Sequence, residues 1–136
     1  MSIFTRLLGI CKTKLPMDSG CWTVEGNKVT LELKRAPELA ASDGALRLEG
    51  KGLPFRVLVV RGKVGGFYAY RNKCSHMGRR LDPVPGGNQL ECCSVSRSTF
   101  NLDGRAVHGP AKEHVGVLAL EEQGKTLIIY LDEMHN

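Results

Sequence analysis

The sequence predicts an all-β domain interrupted by a long loop-built insert, and three observations predict it. Sixteen glycines and six prolines in 136 residues demand many turns, as short strands do. Val29, Leu31 and Leu33 alternate with polar neighbours, which is the period of two of a half-buried strand. Residues 71–111 are rich in Gly, Pro, Cys and Ser, and a mostly irregular stretch of that length inside a small domain is usually functional.

The elements follow in order. Residues 1–19 form a peripheral N-terminal segment, with Pro16 and Gly20 marking the entry to structure. Leu7, Leu8 and Ile10 make too short an apolar run for a signal sequence or a membrane span, and read as a frayed or surface-packed turn. Trp22-Thr23-Val24, a turn at Glu25-Gly26-Asn27, and Lys28 to Leu33 read as a hairpin. Arg35 to Gly44, with Pro37, is a loop or a short helical turn. Ala45 to Leu48 is a weak strand. Phe55 to Arg61 is a β-branched strand that pairs across Lys63 to Gly66 with Phe67 to Tyr70. After the insert, Val115 to Leu120 and Thr126 to Leu131 form a final hairpin. Residues 20–136 are therefore one domain, and about 71–111 is a subdomain within it.

Composition narrows the function classes. Apolar content of 42% and charged content of 24% are ordinary for a soluble globular chain. The formal net charge is +5, but the basic residues are scattered and none are interleaved with aromatics, which argues against a nucleic-acid surface. The five cysteines, Cys11, Cys21, Cys74, Cys92 and Cys93, are an odd number in a chain too long for a disulfide scaffold. A reducing cytoplasm with free or metal-binding thiols is expected.

The chemistry concentrates in two short loops. Cys74-Ser75-His76-Met77-Gly78-Arg79-Arg80-Leu81 places a thiolate and an imidazole two residues apart before a glycine turn. Cys92-Cys93-Ser94-Val95-Ser96 supplies a second cysteine loop, and Phe100-Asn101-Leu102-Asp103-Gly104 and Gly109-Pro110-Ala111 follow. Soft sulfur suits iron–sulfur bonding. These residues resemble the Rieske [2Fe–2S] family, in which two histidines replace two cysteines on one iron. Its pattern is a Cys-x-His loop, a spacer, and a Cys-x-x-His loop. Cys74 and His76 match the first loop. Sixteen residues separate His76 from Cys93, and the register at Cys93 also puts Phe100 at the family's aromatic position. Cys93 is favoured over Cys92 on that ground. The second histidine then falls at Ser96, and Arg97 stands where glycine is usual.

The resemblance implies stacked antiparallel sheets, with Cys74 and Cys93 brought close together at one end. It implies a [2Fe–2S] cluster bound through Cys74, His76, Cys93 and an unusual ligand near Ser96, with Cys74, His76 and Cys93 as the metal ligands proper. A set of Cys74, His76, Cys92 and Cys93 is an alternative. His108, His114 and His135 read as surface residues, and Cys11 and Cys21 as incidental. The respiratory members' extra disulfide would fall at Arg79 and Val95, so the closer likeness is to soluble Rieske-type ferredoxins, which carry single electrons. The expected function is electron transfer without catalysis, using no membrane. Arg79, Arg80 and Arg97 would offer a docking patch for an acidic redox partner. A cluster-free binding module and a zinc-site protein are the alternatives.

Overall fold

The computed structural model describes residues 8–75, 78–86, 88–94 and 97–134, which form two antiparallel sheets. The larger sheet is built from β1 (Trp22–Glu25), β2 (Lys28–Glu32), β3 (Ala45–Leu48), β4 (Val57–Arg61), β5 (Phe67–Arg71), β10 (Val117–Gln123) and β11 (Thr126–Met134), in the order β1-β2-β11-β10-β5-β4-β3. The smaller sheet consists of β6 (Leu81–Pro83), β7 (Gln89–Cys92), β8 (Thr99–Asn101) and β9 (Ala106–His108), in sequence order. The only helical pieces among the described residues are 3₁₀ turns of three residues each, so the all-β expectation holds.

The predicted hairpins form. Trp22 faces Leu31 and Val24 faces Val29 across the first turn. Val57 faces Arg71 and Arg61 faces Phe67 across the second. The final hairpin starts at Val117, two residues later than the sequence suggests, and shifts register between Leu118 and Leu120. Alternation in β2 buries Val29 and Leu31 completely.

The insert departs from the sequence reading. It holds a four-stranded sheet where mostly irregular chain was expected. Strands of three or four residues leave no periodic trace, and pairing fixes them: Leu90 lies opposite Phe100, and Leu81 opposite Cys92.

Two apolar cores result. The first gathers Trp22, Val29, Leu31, Leu39, Val57, Val59, Leu127 and Ile129. The second gathers Leu58, Val60, Tyr70, Leu81, Leu90, Phe100 and Val115 around Cys74 and Cys92. In β4, Val57 to Val60 are all buried, so both faces of this strand are covered. The Tyr70 hydroxyl donates to the Leu102 carbonyl at 2.6 Å and ties the larger sheet to the smaller. Gly104 lets the insert close on its base. Its φ is +88°, and a Cβ there would sit 2.6 Å from the Val115 carbonyl oxygen, a conformation and a clearance that only glycine meets without strain.

An ion-pair cluster braces the base beside the insert. Glu49 accepts from Arg80 Nε at 2.7 Å and Nη2 at 2.9 Å, and lies 3.1 Å from Arg47 Nη1. The Arg80 hydrogen bonds, opposed by burial and assisted by Arg47, hold the Glu49 carboxyl below its ordinary value of 4.5. A carboxyl depressed by folding stabilises the fold above its unfolded value and loses that contribution as pH falls through the folded one. The urea midpoints of the parent and of Glu49→Gln should therefore differ by a constant amount above about pH 4.5 and converge below it. A gap that persists at low pH would remove this role from Glu49.

Candidate metal centre

The first cysteine loop is fixed by its own backbone. The Cys74 N–H donates to the Arg79 carbonyl at 2.7 Å, and the Gly78 N–H donates to the Cys74 carbonyl at 2.9 Å. Gly78 takes a φ of +69° at this reversal. Arg56 donates to the carbonyls of Asn72 and Gly78 and so grips both ends of the loop. Asn72 Oδ1 accepts the Leu81 N–H at 2.8 Å. Ser75 Oγ donates to the Glu113 carbonyl at 2.6 Å.

The second loop grows from the end of β7. The Cys92 N–H donates to Ser98 and the Cys93 N–H to Arg80, which laces the two loops together. Arg97 closes a turn onto the Ser94 carbonyl with a φ of +51°. Arg97 takes this left-handed backbone despite its Cβ, a conformation costing roughly 1 kcal/mol. Behind the turn, Gly109 fits where a Cβ would lie 2.7 Å from Ser98 Cα.

The side chains of the adjacent cysteines part company. Cys92 meets Cys74: the two thiols are hydrogen-bonded, and both residues are fully buried in the second core. That hydrogen bond and burial push the Cys92 thiol well above its ordinary range, with Ser94 opposing. Cys93 points the other way, because successive residues of an extended chain face opposite sides. Its sulfur donates to Asp82 Oδ2 at 3.3 Å and hydrogen-bonds with Cys11. The expected approach of Cys93 to Cys74 is thus taken by Cys92, and the strand's alternation is the cause.

Cys93, Cys11 and Asp82 form a second group, whose sulfur and carboxylate atoms lie within 4.8 Å of one another. Cys11 is half-buried, while Cys93 and Asp82 are buried. The Cys11 thiol is drawn down to about 7, first by its hydrogen bond with Cys93, against burial and Asp82 and with help from Arg47 and Arg80. Its partner Cys93 is pushed up by that same bond, by burial and by Asp82. Of the pair, Cys11 ionises first. The sequence reading treated Cys11 as incidental and passed over Asp82, and nothing in their spacing marks them.

His76 and Ser96 lie outside the described residues, as do Val95 and His135. His108 and His114 are exposed. Arg80 is engaged by Glu49, Arg79 lies against Gly9, and Arg97 is exposed. No helix among the described residues is long and apolar enough to cross a membrane.

Two interlaced loops thus set a buried thiol pair on an antiparallel base. Residues 30–121 match the model of the Rieske [2Fe-2S] domain family. The chain belongs to that family.

Solved structures agree in fold. A chain from the complex of reduced oxygenase and oxidized ferredoxin in carbazole 1,9a-dioxygenase is 19% identical with a TM-score of 0.64, over 79% of this chain and 97% of that one. The ferredoxin of carbazole 1,9a-dioxygenase from Nocardioides aromaticivorans IC177 is also 19% identical, with a TM-score of 0.61, over 76% and 95%. The apo quaternary ammonium Rieske monooxygenase CntA is 22% identical with a TM-score of 0.57, over 85% of this chain and only 34% of its own. No curated protein matches the sequence.

The family implies a [2Fe–2S] cluster, and the residues can be tested against it. The apposed thiols of Cys74 and Cys92 suit the iron that takes two thiolates. The other iron takes two imidazoles in this family, and the second has no counterpart here: the residue three after Cys92 is Val95, and three after Cys93 is Ser96. The thiolate end fits the group, and at the other end neither cysteine spacing reaches a histidine.

Proposed function

We propose that this domain is a non-catalytic electron carrier whose [2Fe–2S] cluster has an atypical ligand set. Cys74 and Cys92 would hold one iron and His76 would serve the other, with no second histidine. Cys92 here takes the place that spacing gave to Cys93, and the vacant ligand position becomes Val95 in place of Ser96. The observation that carries the reading is the buried Cys74–Cys92 thiol contact between two interlaced loops. A bound [2Fe–2S] cluster supplies a centre that gains and loses one electron at a time. The protein's own part is to bury the thiols, exclude water from them and fix the loops through Arg56, Asn72 and Ser75.

A redox partner protein is part of this reading, as in the oxygenase–ferredoxin complex that the fold resembles. Of the three arginines, Arg97 is the one held out to solvent, so an acidic partner would meet it first. Free thiols suit a reducing compartment such as the cytoplasm.

Anaerobic purification with iron and acid-labile sulfide analysis tests the proposal. Equal, stoichiometric iron and sulfide with visible absorbance are expected. A colourless chain, whether metal-free or carrying zinc, would overturn it. The register has its own test. Val95→His should add a Rieske-type paramagnetic resonance signal on reduction and raise the reduction potential, because a neutral imidazole would displace an anionic ligand such as hydroxide from the vacant position and leave the cluster less negative. Ser96→His should do neither. The opposite outcome would return the second ligand loop to Cys93.

A further inference from the structure

We propose that Cys11 and Cys93 form a thiol-modification site, a dithiol that closes to a disulfide by exchange with a small disulfide such as glutathione disulfide. This site lies apart from the Cys74–Cys92 pair and does not depend on cluster binding.

The geometry is built for a lasting encounter of these two sulfurs. Asp82 is buried, and its Oδ2 and Oδ1 accept the backbone N–H groups of Lys12 and Thr13 at 2.7 and 2.8 Å. Arg47 Nε donates to the Thr13 carbonyl at 2.8 Å, and the Arg47 N–H donates to the Lys14 carbonyl at 3.1 Å. The strap from Lys12 to Lys14 is thereby held on both edges, and the residue just before it is Cys11. From the other side, the Cys93 N–H is anchored on Arg80 and its sulfur on Asp82. The two sulfurs meet with one member reachable from solvent and the other shielded behind it, the arrangement of an attacking and a resolving thiol. Arg47 and Arg80 favour an anionic sulfur at Cys11, against the larger opposing effect of Asp82.

The Cys11 thiolate attacks one sulfur of glutathione disulfide, whose S–S bond breaks. One glutathione leaves as a thiolate and takes up the proton that Cys11 lost. Cys93 then attacks the Cys11 sulfur of the mixed disulfide. Its proton ends on the second departing glutathione thiolate. Two protein thiols become one disulfide, and glutathione disulfide becomes two thiols. Cys74 and Cys92 are both fully buried and are not reached by this oxidant.

The full chain, as purified, is equilibrated with glutathione buffers of rising oxidised fraction, trapped by alkylation, and read by intact mass and peptide mapping. The expected product lacks two hydrogens and maps to Cys11–Cys93. Cys93→Ser should stop at a glutathione adduct on Cys11, and Cys11→Ser should give neither adduct nor bridge. Iron content, measured alongside, reports on the cluster separately. The proposal falls if the parent accumulates the adduct without closing, if the bridge maps to Cys74–Cys92, or if Cys11 does not react. It falls equally if the parent retains a zinc ion that Cys11→Ser loses, since the group would then be a metal site.

Discussion

Cys92→Ser is expected to strip the domain of the iron and acid-labile sulfide proposed for it, whereas Cys93→Ser is expected to leave both in place. The contrast follows from the opposed directions of two neighbouring side chains. Cys92 lies with Cys74 in the apolar core of the smaller sheet, and a serine there would give a hard oxygen where iron calls for soft sulfur. It would also bury a hydroxyl among Leu81, Leu90 and Phe100. Cys93 faces Cys11 and Asp82, so its loss should be felt by the N-terminal strap. Parallel metal and sulfide assays on the two variants decide the matter. Iron lost from Cys93→Ser and kept by Cys92→Ser would reverse the assignment.

Phe100→Ala is expected to lower unfolding stability by about 3–5 kcal/mol, the usual cost of emptying a fully buried phenylalanine site. Phe100 is 0% exposed and sits opposite Leu90, within a core shared with Tyr70 and Cys92. The smaller sheet has strands of three or four residues, and backbone pairing over so short a length does not sustain a sheet by itself. The aromatic ring therefore supplies much of what keeps β7 and β8 together. Urea unfolding measures the loss, and a change under about 1 kcal/mol would show that the site collapses to fill the space. Because β7 ends in Cys92, a weakened pairing should also loosen the thiol pair, and cluster retention on storage should fall with stability.

Much of the fold was legible in the sequence because its long strands carry their own signals. Val29-Leu31-Leu33 alternates, Phe55 to Arg61 is β-branched and apolar, and the turns fall at glycines. The smaller sheet was not legible, since Leu81–Pro83 and Thr99–Asn101 are too short for a period to show. The candidate metal centre was legible only in part. Cys74 and the downstream frame from Phe100 to Ala111 stand out by spacing. The choice between Cys92 and Cys93 could not be made by counting, because it depends on which face of an extended chain each residue takes. Phe100 suggested Cys93, whereas pairing of Leu81 with Cys92 sets the latter inward. Arg97 was not legible either: its residue type gives no hint of the left-handed turn that its backbone makes. Asp82 was invisible for another reason: its role is to bind the backbone of residues seventy positions away, and distance in sequence hides such a partner.

Strand β4 has a consequence for how the molecule comes apart. Val57 and Val59 belong to one core, and Leu58 and Val60 to the other. Five residues thus serve as a party wall: neither room can be emptied without exposing a face of the same strand. The insert is not free to melt while the base survives, and thermal or denaturant unfolding should run as one transition whether it is watched at Trp22 or at the thiols. A one-residue slip of β4 would exchange the occupants of both rooms at once. The loops that carry Cys74 and Cys92 accordingly share the full cooperative stability of the domain, and an electron-transfer centre mounted there would be held in a fixed position relative to the partner-facing surface.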